Sequence, residues 1–395
     1  MLKTWPVYRV FKRELLRLAQ QKSIRNLFII IPIVVFLVLG AIYYKGALRE
    51  VPIAVYDNDN STLSRTYIRF LESSPNLKVT TYLSATDAIE NAFVEKDVQG
   101  VFYIPKDFYK DILKNAPTQV RIYTNSTNIV FGNLLYKSAV EVTQSLSGAI
   151  VAKRMAPLGI NPNKILGTVL PIAINTRVLG NPQYNYVYYL LPGLTTVLLQ
   201  MILFLAASRA FNHEWKKNTY SQLFSLSEGS ITAMLLGKYF AFMVYGLSLC
   251  GLIFAIIFPI FGIPIYGNLM HLLALVLLFI SANILLGFGL SLIVKDEIIA
   301  LDAAIFYNSP AFIFSGFTFP IWAMPWLNTL YAQIIPYTHF LTAFLKLYQI
   351  DTPLSFIWPE VWKLLLFLLL GLLMISIGLI INKNKIFISQ KTTVA

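Results

Sequence analysis

Few residues of this chain have the chemistry of catalysis, and their positions argue against most of it. The stretch Asp57-Asn58-Asp59-Asn60 invites a metal site, since carboxylates and amides suit hard cations. It lacks the further spaced acids and the distal glutamate of a calcium loop, and acids just ahead of a helix act as caps and dipole partners. No Ser/His/Asp constellation can form around it, because the only histidines, His213, His271 and His339, fall in other parts of the chain. The single cysteine, Cys250, lies inside an apolar run, so neither an intrachain disulfide nor a cysteine-based metal site can be built. A phosphate-binding loop is missing: the nearest dipeptide, Gly237-Lys238, is followed by Tyr239 and lacks the upstream glycine. Any ATP that drives this protein is therefore hydrolysed by another chain. Asp302 stands within an apolar run, where an acid is a candidate proton or substrate site by default. One turn inside the run and open to solvation from the cytoplasm, it is better suited to a structural, capping or interfacial role. His271 and Lys363 lie near the ends of runs and can snorkel, and His339 reads as a packed interfacial residue.

The elements around these residues are dominated by hydrocarbon. Of 395 residues, 56% are hydrophobic and 13% charged, against about 25% charged in soluble proteins. The net charge of +13 fits anchoring to anionic lipid at the cytoplasmic face better than nucleic-acid binding. A bilayer core needs about 20 apolar helical residues. Six segments qualify: Asn26–Tyr44, Val187–Ala207, Tyr239–Phe261, Leu269–Val294, Ile298–Phe317 and Val361–Ile381. Lys3, Arg9, Lys12, Arg13, Arg17, Lys22 and Arg25 precede the first span against the single acid Glu14, which places the N-terminus in the cytoplasm. The apolar run is too long for a signal-peptide core. Residues 1–25 read as an amphipathic helix in the inner interface, with Val7, Val10, Phe11, Leu15 and Leu18 on its apolar face. Basic residues in the loop 209–238 and after the sixth span return both of those to the cytoplasm, leaving 386–395 as a cytoplasmic tail. Residues 318–345, too apolar for a loop and broken by Pro325 and Pro336, read as re-entrant or interfacial helices. Trp322, Trp326, Tyr331, Tyr337 and Phe340 would form a belt at headgroup depth.

Residues 45–183 are polar enough to be soluble and long enough for a core, and the topology puts them outside the cytoplasm. Strands are predicted at Val51–Tyr56, Leu77–Leu83, Gln99–Ile104 and Gln119–Tyr123. Helices are predicted at Ser61–Glu72, at Ala85–Glu95 with Ser84 as N-cap, at Lys106–Asn115 and at Asn128–Met155. Thr168–Val178 returns as a further strand. The fold class is an α-helical polytopic membrane protein with an inserted α/β extracytoplasmic domain.

In this order the motifs resemble the ABC-2 type exporter permeases. The resemblance rests on the basic N-terminal helix, on one span, and on a large domain opening with Val51-Pro-Ile-Ala-Val-Tyr-Asp-Asn-Asp-Asn-Ser-Thr-Leu-Ser-Arg65. Asn181-Pro182 ahead of Leu191-Pro-Gly193 supports it, as do Ser315-Gly-Phe-Thr-Phe-Pro320, Met324-Pro325 and Ile335-Pro-Tyr-Thr338. It implies a transport subunit without catalysis or cofactor of its own, with ATP and Mg on a separate ATP-binding subunit. It also implies a second permease copy or paralogue, a cell inner membrane location in a bacterium, and export of a drug, lipid or lipid-linked molecule. A periplasmic adaptor is a further partner, membrane lipid surrounds the spans, and nucleic acid is excluded. Where the family carries an acidic-basic-Gly-Thr stretch, this chain has Glu214-Trp-Lys-Lys-Asn-Thr219, with asparagine in the glycine position. The ATPase docking surface implied is Glu214, Trp215, Lys216, Lys217, Thr219, Ser230, Ile231 and Leu235, with Ser230–Gly237 as a short apolar helix offered to the motor. The implied substrate path is Leu191, Gly193, Gln200, Phe312, Ser315 and Phe317. An ion-coupled secondary transporter is the alternative; it calls for inverted repeats and midplane acids, and neither is evident.

Overall fold

The computed structural model describes residues 5–20, 26, 30–42, 49–95, 98–125, 129–155, 181 and 185–383. Two compact units emerge, one of Met1–Gly46 with Val178–Ala395 and the other of Ala47–Arg177. The first opens with α1 (Pro6–Gln20) and α2 (Ile31–Ile42). The chain then builds the second unit from β1 (Val51–Asp57), α3 (Thr62–Glu72), β2 (Leu77–Leu83), α4 (Ala88–Glu95), β3 (Gly100–Ile104), α5 (Phe108–Leu113), β4 (Arg121–Thr124) and α6 (Ile129–Met155). It resumes the first with α7 (Tyr186–Ala207), α8 (Asn212–Lys216), α9 (Tyr220–Leu226), α10 (Ile231–Gly251), α11 (Leu269–Ile293), α12 (Glu297–Asn308) and α13 (Ala311–Phe314). Then come α14 (Trp326–Gln333), α15 (Pro336–Ile350) and α16 (Trp358–Ile381).

In the second unit the sheet order is β2-β1-β3-β4, with β1 parallel to β2 and β3, and β4 antiparallel to β3. A central parallel strand is covered on both faces, so β1 reads as an apolar run rather than an alternating one. Ile53, Val55 and Phe102 pack with Tyr67 of α3 and Leu135 of α6, whereas Ala54 and Val101 face Ile89 and Ala92 of α4. Asp57 ties the crossing from β1 to α3: its carboxylate accepts from the backbone N–H of Asp59 (3.1 Å) and Asn60 (3.0 Å) and from the Ser64 hydroxyl (2.7 Å). Ser61 and Ser64 complete a reciprocal capping box. The capping role expected of this acidic stretch is thus filled by Ser61 at the cap, with Asp57 bracing the turn before it. Ser84 does not cap the next helix. Residues 84–87 form turns, and α4 begins only at Ala88. The strand expected at Thr168–Val178 lies outside the described residues.

In the first unit, five helical stretches among the described residues are long and apolar enough to cross a membrane: Tyr186–Lys216, Ile231–Ile260, Leu269–Ile293, Glu297–Phe314 and Trp358–Ile381. The expected first span is helical over the shorter apolar α2, and its flanks lie partly outside the described residues. The fifth is not one continuous helix. Pro310, which has no N–H to donate, separates α12 from α13. Helix α10 passes through a π-helical stretch, Leu252–Ile257, before its last turn at Phe258–Ile260. The segment after Gly316 folds as the pair α14 and α15. Within it Trp322 and Trp326 are exposed, but Tyr337 and Phe340 are fully buried in the core of the unit rather than set in a surface belt. Their position follows from stacking: Phe340 lies on Phe279 of α11 at 4.0 Å between ring centroids.

The expected lipid-facing stripe of α1 is also occupied by protein. Val10 is fully buried against α10, and Gly237 makes the approach feasible. A Cβ at Gly237 would lie 2.6 Å from the Val10 Cβ and 2.8 Å from the Val7 carbonyl oxygen.

Candidate functional site: a buried ionic joint and a clamped helix pair

Helix α7 ends in a tight turn, and the two short helices α8 and α9 form a hairpin before α10. Three backbone features set its shape. Asn218 takes φ 56°, the left-handed region that asparagine tolerates best after glycine, so it can serve where the motif resembled in the sequence carries glycine. Glu228 and Gly229, at φ 51° and 75°, turn the chain into α10. Ser230 then caps α10, its hydroxyl accepting from the Ala233 N–H at 3.2 Å.

Glu214 of α8 is fully buried, and four side chains from three elements converge on it. Arg13 of α1 grips it in a two-pronged contact, with both N···O distances 2.8 Å. Lys238 of α10 donates to it at 3.0 Å, the Thr219 hydroxyl at 2.5 Å, and the Arg17 guanidinium stands at 3.8 Å. Lys238 also donates to Glu14 (2.9 Å) and to the Ala210 carbonyl (2.9 Å), so each of its three protons has an acceptor. Glu14 in turn pairs with Arg17. Buried charges persist only when paired and hydrogen-bonded, and here Glu14, Glu214 and Lys238 satisfy one another. Burial alone would raise the Glu14 carboxyl. Arg17 and Lys238 outweigh it and hold the group below the ordinary carboxylate range. Burial works against the charged form of Arg13 as well, and Glu214 more than offsets it, raising that guanidinium further.

A second cluster lies on Glu297 at the start of α12. Arg209, His213 (3.1 Å) and Lys216 (3.2 Å) all reach its carboxylate. Arg9 of α1 pairs with Glu228 at the far end of the hairpin. The hairpin is therefore fastened to α1, α10 and α12 by charge.

The expected docking residues divide in two. Glu214 and Thr219 face inward as structural members of the joint, because the carboxylate is the acceptor that three cations need. Trp215 lies beside Tyr220, with rings 6.1 Å apart, and Ile231 and Leu235 pack on the core of the unit. Lys216 and Lys217 are exposed. The short apolar helix expected at Ser230–Gly237 is instead the first two turns of α10, continuous through Gly237 into the span. The separate short helices are α8 and α9, and α9 exposes Ser221, Gln222 and Ser225. Sequence reasoning missed Glu14, Arg17, Lys238, Arg209 and Glu297. One signal was present for Glu14, the lone acid among seven basic residues before the first span.

The expected path residues gather at the opposite end of α7. The Phe317 ring covers Gly193, where a Cβ would lie 2.6 Å from it. Tyr189 stacks on the same ring at 4.7 Å and donates to the Phe317 carbonyl at 2.8 Å. Phe312 stands 5.4 Å from Phe317, and the Ser315 hydroxyl donates to the Phe312 carbonyl at 2.9 Å. Tyr337 closes the group by donating to the Gly193 carbonyl at 2.6 Å. Leu191 is buried beside this cluster in sequence. Gln200 lies two turns further along α7, where its amide donates to Asn308 at 2.9 Å. Asp302 is exposed on α12, on a face shared with Ile298, Ile299, Ile305 and Phe306. Among the described residues no group of acids, histidines or cysteines could hold a metal ion.

Five described helical stretches long and apolar enough to cross a membrane fit a polytopic membrane protein, with a charge-fastened hairpin at one end of α7 and aromatic closure at the other. The family model described as "ABC-2 family transporter protein" matches residues 22–380, and the chain belongs to that family. The "Probable multidrug ABC transporter permease YbhS" of Escherichia coli (strain K12) is 24% identical over 331 residues, which cover 81% of this chain and 82% of that protein. The "Probable multidrug ABC transporter permease YbhR" of the same strain is 24% identical over 372 residues, 91% and 94% of the two chains. "ABC transporter G family member 20" of Dictyostelium discoideum is 24% identical over 341 residues, 83% of this chain and 44% of the longer protein. As an ABC permease, the chain is a transport subunit whose family implies an ATP-binding partner.

Proposed function

We propose that this permease is one half of the membrane pathway of an ATP-driven exporter. It moves an amphipathic or hydrophobic substrate, such as a drug, a lipid or a lipid-linked molecule, out of the cytoplasm or inner leaflet. The single observation that carries this reading is the α8–α9 hairpin. Its outer side, with Ser221, Gln222 and Ser225, is exposed, while its inner side is bound through Glu214 to α1 and α10 and through Lys216 and His213 to Glu297 of α12. A push on the outer side therefore reaches two apolar spans without crossing a soft joint.

In this reading the basic hairpin end faces the cytoplasm, in keeping with the positive-inside rule. Residues 45–183 then lie outside a bacterial inner membrane, where an adaptor could reach them. ATP and Mg bind and react on the separate subunit, and this chain needs no cofactor. A second copy or paralogue covers the apolar face of α12, with the substrate route opening beside α7 and the Phe312–Phe317 segment. YbhS and YbhR, named as probable multidrug ABC transporter permeases, support a drug-like cargo. Co-purification from native membrane tests the reading: an ATP-binding subunit is expected to accompany the wild type and to be depleted by Gln222→Arg with Ser225→Arg, with membrane insertion unchanged. Equal recovery of that subunit with both forms would move docking away from α9.

A further inference from the structure

Between α1 and the α8–α9 hairpin lies an open cleft of about 830 Å³. Arg9, Lys12, Arg13, Arg17, His213 and Lys217 line it, and among the described residues no carboxylate does. We propose that this cleft is a binding site for a phosphoryl anion, the headgroup of an anionic phospholipid.

The charge balance points to a missing anion. Around the cleft, Arg9, Lys12, Arg13, Arg17, Lys217 and the buried Lys238 provide six cations, and Glu14, Glu214 and Glu228 provide three carboxylates, all three already engaged with cations. Glu297 is taken by Arg209, His213 and Lys216, and Asp296 caps α12 through the N–H groups of Ile298 and Ile299. Residues 1–4 and 21–25, which flank α1 in sequence, contain no Asp or Glu and so add no acidic side chain beside it. Three positive charges are left over. Hydrogen-bond donors are left over as well: Arg17 Nε and Nη1 and Arg9 Nε are buried without an acceptor among the described residues. A guanidinium offers its N–H groups in a fork that matches phosphate oxygens, and an unfilled buried donor favours whatever anion completes it.

The apolar surroundings favour lipid as the carrier of that phosphoryl group. Leu16 of α1 and Leu226 of α9 share the lining. Trp5, just before α1, and Tyr8, Lys12 and Leu16 on it recur at three- and four-residue spacing as an exposed stripe, the composition of a helix that rests at headgroup depth. The inference does not depend on where the ATPase docks, since it concerns charges that are unbalanced within this chain.

The test uses the full chain in nanodiscs. Native mass spectrometry is to count bound phosphatidic acid against phosphatidylcholine, and in parallel the detergent-solubilised protein is to be titrated with inorganic pyrophosphate and followed by thermal unfolding. Lys12→Gln with Lys217→Gln removes two exposed cations that hold no buried partner and so spares the joint. The expected result is selective retention of phosphatidic acid, weakened at least about tenfold in the double variant and unchanged in Lys295→Gln, a cation of the same end that does not line the cleft. Pyrophosphate binding with the same sensitivity and no lipid preference would uphold the phosphoryl site and assign it to a soluble anion. Two results would overturn the proposal. One is no selective binding of either probe by the wild type, including the case where the variant loses only a protein partner. The other is phosphatidic acid binding indifferent to Lys12 and Lys217.

Discussion

At the end of α7 that leads into Glu214, the contacts are ionic around the fully buried Glu14, Glu214 and Lys238; at its start, beside Tyr189, they are rings laid on backbone. In the first region Lys238 makes contacts of 2.9, 2.9 and 3.0 Å, and three elements lose a partner if it goes. In the second, Phe317 is held by stacking at 4.7 Å and by one hydrogen bond, from the Tyr189 hydroxyl to its carbonyl oxygen, an acceptor that any residue could provide. Ionic joints in a low-dielectric setting are steeply penalised when one member leaves, because the remaining charge stays buried. Stacked rings lose contact gradually and can slide. One end of the helix is thus suited to transmit force, and the other to open.

The sharpest way to break this contrast is Lys238→Met. It strands Glu14 and Glu214 with one cation fewer, and the expected destabilisation is about 3–5 kcal/mol, read as a lowered unfolding midpoint in detergent. Adding Glu14→Gln to that variant should recover a large part of the loss; no recovery would mean that the lysine acts by packing. Phe317→Ala comes next. The ring is nearly buried and fills the space above Gly193, so about 3 kcal/mol is expected, without the rescue pattern that marks the ionic end. Acid sensitivity should separate the two ends further. Because the folded Glu14 carboxyl titrates below its unfolded value, its stabilisation is complete above the ordinary carboxylate range and is lost as pH falls through the lower folded value. The stability difference between wild type and Glu14→Gln should accordingly hold constant near neutral pH and shrink in acid, in unfolding measured across pH. The smallest effect, about 1 kcal/mol, is expected for Tyr189→Phe, which removes one hydrogen bond and keeps the stack.

What could be read from the chain follows the same division. Apolar runs of about 20 residues announce themselves, and β2 was expected at Leu77–Leu83, where it stands, because its β-branched residues lie between clear turns. The partnership of Glu14 with Lys238 spans 224 positions. Nothing local marks it, and a lysine at the start of a span looks like any residue anchored at the interface. Gly237-Lys238 resembled a boundary because glycine and charge usually end an element. Here the glycine admits Val10 and the lysine turns inward, so the helix runs on. Pro310 within an apolar stretch was the readable warning that the fifth span would break. Tyr337 and Phe340 were misplaced because an aromatic residue looks the same in sequence whether it meets headgroups or another ring.

The π-helical stretch at Leu252–Ile257 has a consequence for how this unit can vary. A wide turn holds one residue more than regular winding, and each residue of an α-helix advances about 100° around the axis. The wide turn absorbs that residue, so Phe258 stands where the residue before it would stand in an unbroken α-helix, facing Tyr348 at 5.9 Å. Deleting one residue there would restore regular winding and leave both Lys238 and Phe258 facing as they do, whereas a deletion in the regular turns on either side would swing one against the other by about 100°. The bulge is the place where this rod tolerates a change of length by one.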